Sequence, residues 1–243
     1  MIFYFNGGLD LGNGWPVWGH AILAAICALG AWFAASHFWR ASGAFLALVA
    51  LWATAGAAIS HLAFHVASVP PMPAANFMSR GEGRALDLGC GSGRATIMLA
   101  RARPAVAISA LDSLGAGTAR LRANLRAAGI DRRVEIVTAD MRRIHSADDA
   151  YEGVVSAYAI DGLDRDGIRE TLHEVARVMK PGGEFLLIIA RADAWMRFVY
   201  GLLPKFRQVP AGFWPQALGE AGLSISEQGA GPGTAWFLCR NRK

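Results

Sequence analysis

The chain has 243 residues, of which 53% are hydrophobic and 18% charged, with a mean hydropathy of +0.29. That length suits one ordinary α/β domain plus a smaller element, and the composition excludes a disordered chain. Three cysteines (Cys27, Cys90 and Cys239), odd in number and far apart, exclude a disulfide framework and offer no paired-thiol metal site, which fits a reducing compartment.

Charge is distributed unevenly. There are 24 Lys and Arg against 19 Asp and Glu, a net charge of +5, but only Asp10 and Arg40 lie before residue 80. Two strongly apolar stretches in that region, at about 15–39 and 44–66, predict two helices. At about 1.5 Å of rise per residue each reaches roughly 35 Å, enough to match a hydrocarbon core about 30 Å thick. Trp15, Trp18 and Trp39 suit interfacial positions. Arg40-Ala41-Ser42-Gly43 reads as the tight turn between them. Ala21, Ala24, Ala28, Ala31 and Ala35 repeat at three- and four-residue spacing, as do Ala50, Ala53, Ala57 and Ser60, and such small-residue seams let helices pack closely. His20, His37, His61 and His65 have no thiolate or carboxylate at ligand spacing, so no metal site is expected. Residues 1–69 thus read as a transmembrane helical hairpin, 70–79 as a Pro-rich linker (Val69-Pro70-Pro71-Met72-Pro73), and 80–243 as a globular domain.

In the globular part short apolar runs alternate with helical stretches. Strands are predicted at 85–88, 107–111, 134–138, 153–157, 184–189, 223–227 and 234–239, and helices at 95–103, 115–129 and 165–180. This alternation indicates an α/β fold with a Rossmann-like, doubly wound seven-stranded sheet. The glycines at 229, 231 and 233 predict a terminal antiparallel hairpin. The first strand runs into Asp87-Leu88-Gly89-Cys90-Gly91-Ser92-Gly93-Arg94. A glycine loop between strand and helix presents bare backbone at the carboxyl edge of the sheet, where ligands bind in open α/β folds. Arg94 occupies the place where the dinucleotide fingerprint has its third glycine. The carboxylate of Asp87, two residues before the first glycine, suits a cationic ligand better than a phosphate.

These residues resemble the class I S-adenosylmethionine-dependent methyltransferases, whose first motif is an acid followed by G-x-G-x-G. The resemblance covers roughly residues 80–243. It implies S-adenosyl-L-methionine as cofactor and S-adenosyl-L-homocysteine as product. It further implies that Asp87, Gly89, Cys90, Gly91 and Gly93, with Ser156 and Ala157, hold the methionine end. Asp112 and Ser113 would then meet the ribose, and Asp140 and Met141 the adenine. Glu174-Val175-Ala176-Arg177-Val178-Met179-Lys180-Pro181-Gly182-Gly183 is similar to the family's turn before the fifth strand, with a structural role implied. Many quinone-type relatives carry histidines after the fourth strand. Here Tyr158 and Asp161 stand there instead and are the candidate catalytic residues.

Trp195, Phe198 and Val199, together with Tyr200, fall in an amphipathic stretch followed by Lys205 and Arg207, and with Tyr158 they are expected to line an acceptor pocket. The reading is a membrane-anchored methyltransferase acting on a lipidic or small hydrophobic acceptor. Its placement is integral to the bilayer, with the globular domain on the cytoplasmic face where the cofactor resides. No nucleic-acid partner is expected, because the arginines are scattered rather than gathered into a patch. The alternatives are a membrane-tethered cofactor-binding scaffold with little catalysis, or a methyltransferase acting on protein or nucleic acid.

Overall fold

The computed structural model describes residues 17–36, 40–63, 69–113, 118–191, 209–210, 212–231 and 233–243. Helices α1 (Val17–Ser36) and α2 (Arg40–Ala63) form the hairpin and pack on each other. Their contact runs through small residues. Ala24 and Cys27 of α1 and Gly43, Ala50 and Ala53 of α2 are buried. At Gly30 an added Cβ would come within 3.1 Å of Leu46. The predicted seam therefore holds at Ala24, Ala50 and Ala53, whereas Ala28 is exposed. Arg40 to Gly43, expected as the turn, instead opens α2.

The larger correction concerns the membrane. Among the described residues no helix is long and apolar enough to cross one, which overturns the expected integral membrane placement with a cytoplasmic globular domain. Alanine makes up seven of the 20 residues of α1 and nine of the 24 of α2, with His20, Ser36, Arg40, Ser42, Thr54, Ser60 and His61 interspersed. Methyl side chains add little transfer free energy per residue, and each polar group subtracts from it.

The described strands of the globular part form one seven-stranded sheet. Its strands are β1 (Arg84–Leu88), β2 (Ala107–Asp112), β3 (Val134–Thr138), β4 (Tyr151–Ala157), β5 (Met179–Ala190), β6 (Leu223–Gly231) and β7 (Thr234–Asn241). Their order is β3-β2-β1-β4-β5-β7-β6; the first five are parallel, and β7 is antiparallel to both β5 and β6. Helices α3 (Arg94–Ala102) and α4 (Thr118–Ala127) pack into one core, and α5 (Arg165–Val178) and α6 (Phe213–Glu220) into the other. Strand β5 shows why its sequence is continuously apolar. Phe185, Leu187 and Ile189 enter the core beneath α5 and α6, while Leu186 and Ile188 enter the core beneath α3 and α4. Helix α6 was not predicted, and β6 and β7 extend further than their apolar cores indicated, because antiparallel pairing carries on through Gly229, Ala230 and Gly231.

Residues 70–79 are not a free spacer. Ala74, Phe77 and Met78 are buried in the core under α3. The Arg103 guanidinium donates to the carbonyls of Ala75, Phe77 and Met78, fixing the segment to the end of α3.

Candidate functional site

The strand order reverses between β1 and β4, and the carboxyl ends of both strands open onto the same edge. That is the switch point at which open α/β sheets bind ligands. Gly89, Cys90, Gly91, Ser92 and Gly93 turn the chain from β1 into α3 there. The amides of Gly89 and Cys90 donate to the Leu111 carbonyl (2.8 and 3.0 Å), so the loop hangs on β2. Gly93, at φ 90°, lies against α4; a Cβ there would fall 2.6 Å from Leu121 Cδ1. Gly91, at φ 51°, has nothing among the described residues within 4 Å of where a Cβ would be, which leaves backbone open to a ligand. Cys90 is buried, and burial with the charges of Asp87 and Asp112 drives its thiol pKa far up, so it is a packing residue rather than a nucleophile.

Two carboxylates brace the loop. Asp112, at the end of β2, accepts from the Gly91 amide at 2.7 Å. Asp87 is fully buried in β1 and its Oδ2 accepts from the Thr96 hydroxyl. Its Oδ1 has no hydrogen-bond partner among the described residues. Burial raises the Asp87 pKa to about 7, only partly offset by Thr96. A buried carboxylate with an unused acceptor is costly unless something cationic approaches. The positively charged methionine end of S-adenosylmethionine has that chemistry, so the residues present fit this cofactor.

The other expected contacts are distributed along the same edge. Ser113 is exposed just past β2. Asp140, after β3, is bound by Arg142 (2.7 Å), which holds its pKa down at about 2. Met141 reaches back to the loop, its Cε 3.2 Å from a Cβ built on Gly89. Ser156 is buried and donates to the Leu88 carbonyl at 2.8 Å, joining β4 to β1, while Ala157 is half-buried. Glu174, Arg177 and Lys180 are structural. Arg177 pairs with Glu174 and Asp148 (2.7 Å each) and donates to the carbonyls of Ile144 and Ser146.

Of the two candidate catalytic residues, Tyr158 stands at the edge and Asp161 is committed elsewhere. Asp161 sits in a 3-10 turn, Ile160–Gly162, and accepts from the Ala190 amide at 2.8 Å, anchoring that turn to the end of β5; burial lifts its pKa to about 6. The cap of α5 is Asp164, which accepts from the Gly167 amide. Tyr158 takes the left-handed φ of 55°, a strained choice for an aromatic residue. Its amide donates to Ile188, and its hydroxyl shares a 2.8 Å hydrogen bond with Thr234. Burial raises its pKa.

A cavity of about 290 Å³ lies beside it, lined by Met98, Tyr158, Ile188, Trp236, Arg94 and prolines from 70–73 among others. Sequence reasoning missed most of this wall. Thr234 and Trp236 reach it only because β7 runs back along β5, and nothing local in the sequence signals that pairing. Trp195, Phe198, Val199 and Tyr200 lie outside the described residues.

The family model whose description is "methyltransferase domain" matches residues 85–183. The S-adenosylmethionine-dependent methyltransferase SibL has a similar structure: TM-score 0.57, 22% identity, 66% of this chain and 50% of that one. So has a candidate methyltransferase from Bacillus halodurans C-125, with TM-score 0.57 and 18% identity over 70% and 96% of the two chains. Geranyl diphosphate C-methyltransferase from Streptomyces coelicolor A3(2), solved with S-adenosyl-L-homocysteine, matches at TM-score 0.55 and 13% identity over 65% and 69%. This chain spans half the length of SibL, and no curated protein sequence matches it. The match places a methyltransferase domain over residues 85–183 and, with the braced glycine loop and the shared fold, supports an S-adenosylmethionine-dependent methyltransferase.

Proposed function

We propose that this enzyme methylates a small, predominantly apolar acceptor, lipidic headgroups included, held in the cavity over the ends of β4, β5 and β7. The observation that carries this reading is the cavity itself. It adjoins the glycine loop through Arg94 and Ala95, and its size of about 290 Å³ is at the lower end of small-ligand pockets. A protein chain or nucleic acid would call for an open groove or a basic surface. Bound S-adenosylmethionine supplies an electrophilic methyl group with a good leaving group.

The protein's part in this reading is binding and alignment. Asp87 and the open side of Gly91 receive the methionine end, and Asp112 holds the loop while facing the ribose. Asp140 reaches the adenine by releasing Arg142. The apolar wall of Met98, Ile188 and Trp236 keeps water from the acceptor. Holding the reactants at attack distance is worth up to about 7–11 kcal/mol of the barrier. The Tyr158 hydroxyl, already bonded to Thr234, is the group that orients the acceptor atom; its raised pKa makes it an orienting hydroxyl rather than a strong base.

The test is to supply isotopically labelled methyl donor with lipid and small-molecule extracts and follow label by mass spectrometry. Label in low-mass apolar compounds is expected. Label confined to protein or nucleic acid would overturn the reading.

A further inference from the structure

The acceptor cavity is apolar on most of its wall, with one guanidinium set into it. Arg94 opens α3 immediately after Gly93, and its neighbours on the wall are Ala95, Met98 and Tyr158. Other arginines of the domain are occupied by the fold. Arg103 binds the carbonyls of Phe77 and Met78, Arg133 those of Arg103 and Val106, and Arg177 the carboxylates of Glu174 and Asp148. Arg94 differs from all of them. Among the described residues its buried Nε and Nη1 have no hydrogen-bond partner, and no carboxylate pairs with it. Burial pulls its pKa below the ordinary arginine value, yet a guanidinium stays protonated in proteins. A half-buried cation with two buried, idle donors is unfavourable by itself, and an anion arriving in the cavity removes that cost through two charge-assisted hydrogen bonds. The neighbouring Tyr158 is held in a strained conformation at the same wall, as functional sites often require.

We infer that the cavity accepts a molecule bearing a carboxylate or phosphate, with the anionic end on Nε and Nη1 of Arg94 and the apolar body against Met98, Ile188 and Trp236. This rests on the acceptor reading of the cavity given above and narrows its substrate class from apolar to apolar with an acidic end. A second anion could reach the same donors, the amino-acid carboxylate of the cofactor. The acceptor is the better source, because Asp87, Gly89, Gly91 and Asp112 line none of this cavity. Beyond Arg94, Ala95 and Met98 of α3, the wall is contributed by the segment at 70–73, by Ala157 and Tyr158 at the end of β4, and by β5, β6 and β7.

The experiment is calorimetric titration of the full chain, saturated with S-adenosyl-L-homocysteine, with 2-naphthoate and with its neutral counterpart 2-naphthamide. The acid should bind at least tenfold more tightly than the amide. Arg94→Met should bring the two within threefold of each other, and Arg94→Lys should keep part of the preference. Both variants should bind S-adenosyl-L-homocysteine within threefold of the parent, which also shows that they fold. Equal affinity for acid and amide in the parent, or binding of neither, overturns the inference. So does a tenfold loss of S-adenosyl-L-homocysteine affinity in Arg94→Met with the naphthoate preference intact, which assigns Arg94 to the cofactor's carboxylate. If the acid preference is present while no small molecule of the extracts takes up label, the acceptor reading fails and the anion cradle stands.

Discussion

The helical hairpin and the sheet domain are both rich in apolar residues, yet they place them oppositely. In the domain the large side chains face inward: Phe77, Phe185 and Trp214 are almost wholly buried, and most arginines and carboxylates lie outside or in pairs, Asp87 and Arg94 being exceptions. In the hairpin the small residues face inward, with Ala24, Ala50 and Ala53 at the contact, and the large ones outward. Trp32 is 73% exposed and Leu51 68% exposed, and Ile26, Leu29, Phe33, Phe45 and Leu48 are similarly exposed. Burying large apolar area stabilises the domain at roughly 25 cal/mol per Å². An alanine seam gains little from water by the same measure and depends on close backbone approach. Apolar composition alone therefore says little about where a segment's stability comes from.

The sharpest way to break this comparison is to cut the chain. Residues 69–243 should unfold cooperatively and bind S-adenosyl-L-homocysteine within about threefold of the full chain. Residues 80–243 should not, since that cut removes Ala74, Phe77 and Met78 from the core and strips Arg103 of its acceptors. Similar behaviour of the two fragments would show that 70–79 is a spacer after all. The next largest effect is expected in the core. Leu186→Ala should cost about 2–5 kcal/mol by denaturant unfolding, whereas Trp32→Ala, on the exposed face of α1, should stay within about 0.5 kcal/mol. Comparable losses would mean that the hairpin's outer face is packed against something.

Smaller effects separate ligand from fold. Asp112→Ala should weaken S-adenosyl-L-homocysteine at least tenfold, about 1.4 kcal/mol, because both the loop brace and the ribose partner go. Unchanged affinity would remove Asp112 from the cofactor site. Tyr158→Phe should lower kcat/KM on a labelled acceptor by about ten- to a hundredfold, a size typical of positioned polar groups, with cofactor affinity unchanged; a parallel loss of both would make Tyr158 structural. Stability of the protein without cofactor should fall as pH rises from about 4 to about 7. Asp87 is neutral in the folded state up to about 7 and Asp161 up to about 6, whereas both ionise near 3.8 when unfolded. Below pH 4 this contribution is fully present, and above 7 it is gone; Asp87→Asn should flatten much of the slope.

The placement of the residues expected to meet the cofactor could be read in the sequence because each is fixed by its distance from a strand end. Asp87 and Asp112 stand at the ends of β1 and β2, and Gly91 and Asp140 follow within three residues of β1 and β3; the parallel order brings those ends together without help from distant segments. The acceptor side could not be read in the same way. Arg94 registers in the sequence only as a departure from a dinucleotide fingerprint, and nothing local shows that its donors are idle. Trp236 and Thr234 reach the cavity through the antiparallel return of β7, and Pro70 and Pro71 through the burial of Phe77. The bond that holds Asp161 was hidden for a related reason: its partner, Ala190, ends β5, 29 residues away in sequence. The hairpin's apolar runs could be read as helices, but their length and composition did not decide their surroundings.

The account depends on Asp87 meeting a cationic nucleoside in its charged form. Titrating S-adenosyl-L-methionine into the protein at pH 6 and pH 8 tests this directly. With a free pKa of about 7, Asp87 goes from mostly neutral to mostly ionised over that interval, so affinity should rise about tenfold, with proton release on binding at pH 6 and no such rise in Asp87→Asn. The same affinity at both pH values in the unmodified protein would contradict it.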